Sequence, residues 1–133
     1  MKKIIVLIVI CLISNFGFSQ TQFEMNQSAK NNFLKADKEL NSVYQRIIKE
    51  YKFDIIFIKN LKTSQKIWIQ FRDAEMKVKF PETEDGYYGS VFPMCWNSYI
   101  GELTKERIKK LKIWIDGIEE GDVCSGSVKI KQE

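Results

Sequence analysis

Apolar residues recur every three or four positions over most of the chain, the repeat of helices with one buried face. Between Gln20 and Tyr51 the stripe is Phe33, Ala36, Leu40, Tyr44, Ile47 and Tyr51, with Val43 and Ile48 alongside. Lys52–Asp54 breaks it. Asp54 is placed to cap a second helix, its carboxylate accepting from free backbone N–H groups. That helix runs from about Ile55 to Lys79, and the chain is organised around its middle, Leu61–Met76. Phe57, Leu61, Gln65, Trp68, Arg72 and Met76 form its stripe, widened by Ile58, Ile69 and Phe71. Gln65 and Arg72 are polar on a face otherwise apolar, which is costly unless each finds a partner.

Pro81 stops the second helix, and Phe80–Val91 is the one substantial loop. Pro93 suits the first turn of a third helix. Met94, Tyr99, Leu103, Arg107, Leu111, Trp114 and Ile118 mark one side of it, and Gly121 can end it. The tail, Asp122–Glu133, is small and polar and is expected to fray after Cys124.

A break as short as Lys52–Asp54 sets the first two helices antiparallel. Folded back there, Tyr44 comes level with Gln65, Leu40 with Trp68, Asp37 with Arg72 and Phe33 with Met76. The register predicts an ion pair between Asp37 and Arg72. The predicted fold is all-α: a long antiparallel helical hairpin, a third helix packed against it, and a short disulfide-tied C-terminal tail.

Met1–Ser19 reads as a secretory signal peptide. Lys2 and Lys3 give the basic start, Ile4–Ile13 an apolar run too short for a membrane span of about 20 residues. Gly17 and Ser19 suit cleavage before Gln20. The competing reading, acylation of Cys11, meets a bulky Ile10 where such sites take Gly, Ala or Ser. The reading is thus a mature domain of residues 20–133, periplasmic or extracellular, with no stable membrane anchor after cleavage. Cys95 and Cys124 are then the two remaining cysteines, in an oxidising compartment. The expectation is a disulfide between them; the alternative is two separate thiols.

A chain of 133 residues makes one domain. The net charge of +4 includes Lys2 and Lys3, so the mature chain carries +2, too little to argue for nucleic acid. Histidine is absent. This removes Ser-His and Cys-His nucleophiles and the usual zinc chemistry, and neither metal nor cofactor is expected. Lys105, Lys109, Lys110 and Lys112 read as a solvated basic face; the sharper reading is weak affinity for acidic glycans or anionic lipid. In the loop, Glu82, Glu84 and Asp85 stand beside Tyr87 and Tyr88. Two carboxylates at a set separation serve glycoside cleavage, but these three sit close together in one flexible loop. A solvated connector is the plain reading, a recognition loop the next, and an enzyme the third.

Gln65, Trp68, Phe71, Arg72, Asp73 and Ala74 resemble the Q-x-x-W-x-x-F/Y-R-D-A signature of the LprI-like family of bacterial envelope proteins. Glu24-Met25-Asn26-Gln27 resembles its E-M-N-x opening. Asp37, Leu40, Asn41 and Tyr44, after Ala36, resemble A-D-x-x-L-N-x-x-Y. Leu103, Thr104, Arg107 and Leu111 resemble L-T-x-x-R-x-x-x-L, and Gly89-Ser90 the family's glycine-serine turn. Ser28 and Met76 stand where many members carry cysteine, so a covalent tie between the first two helices is absent. The resemblance implies a secreted or periplasmic binding protein that inhibits lysozyme by blocking its cleft. The partner would be a lysozyme or another envelope protein. The motif residues read as structural, and Glu82, Glu84, Asp85, Tyr87 and Tyr88 as the partner surface. The rivals are an envelope adaptor and, third, a carboxylate-based glycan hydrolase.

Overall fold

The computed structural model describes the backbone of residues 2–131 and the side chains of residues 21–131. Three helices follow one another: α1 (Lys2–Glu50), α2 (Ile55–Lys79) and α3 (Phe92–Asp116). The expected signal-peptide features and Cys11 lie outside the residues whose side chains are described. Among the described residues no helix is long and apolar enough to cross a membrane.

The caps explain the boundaries. Asp54 accepts from the N–H of Phe57 at 2.9 Å, as its position predicts. Pro93 occupies the first turn of α3, where a missing N–H costs nothing. The helix ends earlier than expected, at Gly117 rather than Gly121. Gly117 has φ 78° and ψ −179°, a region open in practice to glycine alone. A Cβ there would sit 2.8 Å from the carbonyl oxygen of Lys129.

That contact exists because the tail returns. Ile118 N–H donates to Lys129 O at 3.0 Å and Lys131 N–H to Ile118 O at 2.8 Å. The Ile118–Ile130 bridge is parallel. Lys129 reaches Glu50 at the end of α1, and Lys131 pairs with Glu119. The tail is therefore pinned, against the expectation that it frays. Hydrogen bonds from Arg46 and Lys129 hold the Glu50 carboxyl below its usual pKa. Gly117→Ala is expected to cost about 1–3 kcal/mol in backbone strain and to release the tail. Urea unfolding and amide exchange at Ile118 and Lys131 would measure both.

The main packing is α1 along α3, and the two run parallel. Asn26 meets Ser90, Phe33 meets Gly101, Glu39 meets Lys112, and Tyr51 meets Trp114. The seam carries small residues: Ala29 and Ala36 on α1, Gly101 and Thr104 on α3, all buried. Small side chains let helix axes approach closely. Below them Leu40, Val43, Ile47, Ile108, Leu111 and Ile115 make the core.

Helix α2 runs the opposite way to α3, as the contacts of Gln65 with Arg107 and of Glu75 with Tyr99 require. Its inward residues are larger, and its backbone stays further out. The expected hairpin register does not organise the core. The predicted Asp37–Arg72 pair does not form: Asp37 accepts from Asn41 at 3.4 Å, and Arg72 pairs with its neighbour Asp73 at 2.8 Å. Ile69 and Phe71, expected to widen the buried stripe, are exposed.

The Cys95–Cys124 disulfide is also absent; both are free thiols. Helix length gives the reason. At about 1.5 Å rise per residue, α3 carries Cys95 about 33 Å from Gly117. The chain from Gly117 to Cys124 spans at most about 25 Å even when extended. A disulfide needs the two Cα atoms within about 7 Å. The tail is not extended, because it turns at Asp122–Ser125 and comes back to Ile118.

Candidate functional site

The connection between α2 and α3 begins at Phe80, whose ring is the centre of an aromatic cage. Tyr88, Phe92, Trp96 and Tyr99 surround it at centroid distances of 5.9, 5.6, 5.7 and 6.2 Å. Phe92, Trp96 and Tyr99 lie at i, i+4 and i+7 on α3, so one helix face presents all three. The Lys79 ammonium sits 3.4 Å from the centre of the Tyr99 ring, a cation–π contact. The Tyr99 hydroxyl donates to Glu75 at 3.1 Å. Burial and that carboxylate raise its pKa.

On this base the loop is fixed at several points. The Tyr88 hydroxyl donates to the carbonyl of Pro81 at 2.9 Å, and its ring stacks on Phe92 at 4.8 Å and 16°. Backbone bonds run from Tyr87 N–H to Glu84 O, from Gly89 to Gly86, and from Phe92 to Gly89. Gly86 supplies the positive φ that the tight turn needs. From the other side, Asn26 of α1 donates to Ser90 O at 3.0 Å, while its own oxygen accepts from Gln22. What the loop exposes is distinct from what holds it. Glu82, Glu84 and Asp85 face solvent without an ion pair among the described residues, and Tyr87 is 73% exposed. Tyr88, expected beside Tyr87 as a contact residue, is half-buried as a prop.

The remaining motif residues gather elsewhere. Arg107 Nε donates to Gln65 Oε1 at 3.0 Å and Arg107 Nη2 to Ser64 Oγ at 3.0 Å. The guanidinium groups of Arg72 and Arg107 lie 5.4 and 5.8 Å from the Trp68 ring centre. This cluster ties α2 to α3, so the partner of Gln65 comes from α3. Leu40 is core, and Thr104 is wholly buried with its hydroxyl on Ile100 O at 2.7 Å. Tyr44 packs on the core, where burial raises its pKa. Leu103 is half-buried, and Asn41 and Asp73 are exposed.

Sequence reasoning missed the cage and the Asn26 strut. The spacing of Phe92, Trp96 and Tyr99 was the available signal. For Asn26 the family's E-M-N-x opening marked the residue, but nothing gave its contact.

Comparison with known proteins agrees with the motif placement. The family model described as lysozyme inhibitor LprI matches residues 17–111, which contain all the motif residues, the cage and the loop. An uncharacterized protein of Rhizobium meliloti (strain 1021) is 26% identical over 110 residues, covering 74% of this chain and 77% of its own length. No solved structure matches the chain. With most of its length matched by that model, the chain belongs to the lysozyme inhibitor LprI family.

Proposed function

We propose that the protein is exported by cleavage after Ser19 and inhibits a lysozyme sterically, seating the Pro81–Ser90 loop over the glycan cleft. Family membership supports the partner. The observation that carries the site is the division of labour in the loop: a caged base, and above it Tyr87 with three solvent-facing carboxylates. A loop fixed before binding loses little entropy on contact. Tyrosine adds a large, stiff contact surface. The carboxylates attract the cationic surface of a basic lysozyme and chiefly speed encounter.

The chain's own net charge is positive, so the steering is local to the loop and fades with salt. Replacing Glu82, Glu84 and Asp85 by their amides is expected to slow association about tenfold at low salt, with little change in dissociation. Stopped-flow or surface-based kinetics over a salt series measures this. Unchanged association with an unchanged salt slope would remove the loop from the interface.

One observation favours the adaptor reading as a second choice. Ile67, Phe71, Ala74 and Val78 form an apolar stripe on the outer side of α2, and all four are exposed. Capture of an envelope protein through this stripe, with no effect on lysozyme, would support it.

A further inference from the structure

We propose that the groove between α2 and α3 binds a small amphiphilic anion: a single apolar chain ending in a carboxylate or phosphate. The groove has a volume of about 620 Å³, within the range of small-molecule sites. Its walls come from Phe57, Leu61 and Ser64 of α2 and Arg107, Leu111 and Trp114 of α3. The inference is independent of the lysozyme reading and involves no residue of the acidic loop.

Its two ends differ in chemistry. At one end Phe57 and Trp114 pack at 5.0 Å, and Tyr51 stacks on Phe57 at 4.3 Å. With Leu61 and Leu111, Phe57 and Trp114 make an apolar wall along both helices. The Tyr51 hydroxyl on Trp114 O fixes this wall to α1. At the other end stands Arg107, half-buried. Its partners there, Gln65, Ser64 and the face of the Trp68 ring, are neutral. Among the described residues no carboxylate pairs with it, and burial alone lowers its pKa. A desolvated cation without a counter-charge is costly. Guanidinium has five N–H donors in a fork that matches carboxylate or phosphate, and Gln65 and Ser64 each occupy one. Lys110, one turn on, is exposed, lines the same groove and has no ion pair among the described residues.

The orientation follows. Asp54 lines the groove near Phe57, where its carboxylate accepts the capping bond from the N–H of Phe57. It opposes an anionic head at that end. The head therefore sits between Arg107 and Lys110, and the tail runs along Leu61 and Leu111 toward Phe57 and Trp114.

The test is calorimetric titration of the purified protein with decanoate and decyl phosphate below their micelle concentrations. Neutral 1-decanol and inorganic phosphate serve as the tail alone and the head alone. Both anionic amphiphiles are expected to bind with one-to-one stoichiometry, at least tenfold more tightly than either control. They should also raise the unfolding temperature, since they bind the folded state only. Lys110 has no ion pair among the described residues, so Lys110→Gln should leave the unliganded unfolding temperature unchanged and weaken both amphiphiles about fivefold. Arg107→Gln should abolish the preference over decanol; if that variant fails to fold, Lys110→Gln decides alone. Equal affinity for decanol, no effect of Lys110→Gln, or no binding of either amphiphile would overturn the proposal.

Discussion

Replacing Ile47 by alanine is expected to destabilise the protein by about 2–5 kcal/mol, the range for a large aliphatic side chain removed from a core that collapses only in part. Ile47 has no exposed surface and lies in the cluster where α1 meets α3. Its neighbours there include Leu61 of α2, so all three helices lose contacts together. For a domain of this size each kcal/mol moves the unfolding midpoint by roughly 4 °C, so calorimetry should show a drop of roughly 8–20 °C. Truncation of Phe71 offers the contrast. It belongs to the family signature, yet its ring is on the surface, and Phe71→Ala should change stability by less than about 0.5 kcal/mol.

The second large effect concerns the loop. Tyr87→Ala is expected to leave unfolding unchanged and to weaken lysozyme binding about 30-fold, mainly through faster dissociation. An interface anchor of this kind is worth roughly 2 kcal/mol or more. Tyr88→Ala should weaken binding by another route. It removes the stack on Phe92 and the bond to Pro81 O, so the loop must be ordered when it binds. Tyr88→Phe keeps the stack, loses that bond and should cost about 1 kcal/mol. Amide exchange in the free protein separates the two tyrosines: faster at Tyr87 and Gly89 in Tyr88→Ala, unchanged elsewhere in Tyr87→Ala.

The helices were legible because each carries its own signals: a 3.6-residue stripe, Asp54 at one start, Pro93 at another, Pro81 after a stop. Which helix packs on which was not. Periodicity names a buried face but not the element that covers it. The deciding feature is side-chain size, with Ala29 and Ala36 fitting Gly101 and Thr104 while Trp68 and Met76 stand taller. That choice moved Gln65 onto Arg107 and left Arg72 with Asp73. The disulfide failed for a reason already present in the sequence. The pairing required the tail to fold back along α3, and the few residues between Gly117 and Cys124 are too short to return along that rigid length. In the loop, the carboxylates and tyrosines could be singled out from their composition. Their different roles could not, because they depend on a ring stack and a strut from α1 more than sixty residues away.

Inhibition itself is the most direct test of the central claim. Lysis of a bacterial cell-wall suspension by added lysozyme is followed by turbidity at low salt, with the protein at micromolar concentration. Slowed lysis is expected with the intact protein, restored in the Tyr87→Ala variant, while the protein alone clears no walls. Lysis at the uninhibited rate with the intact, folded protein would contradict the inhibitor reading of this chain.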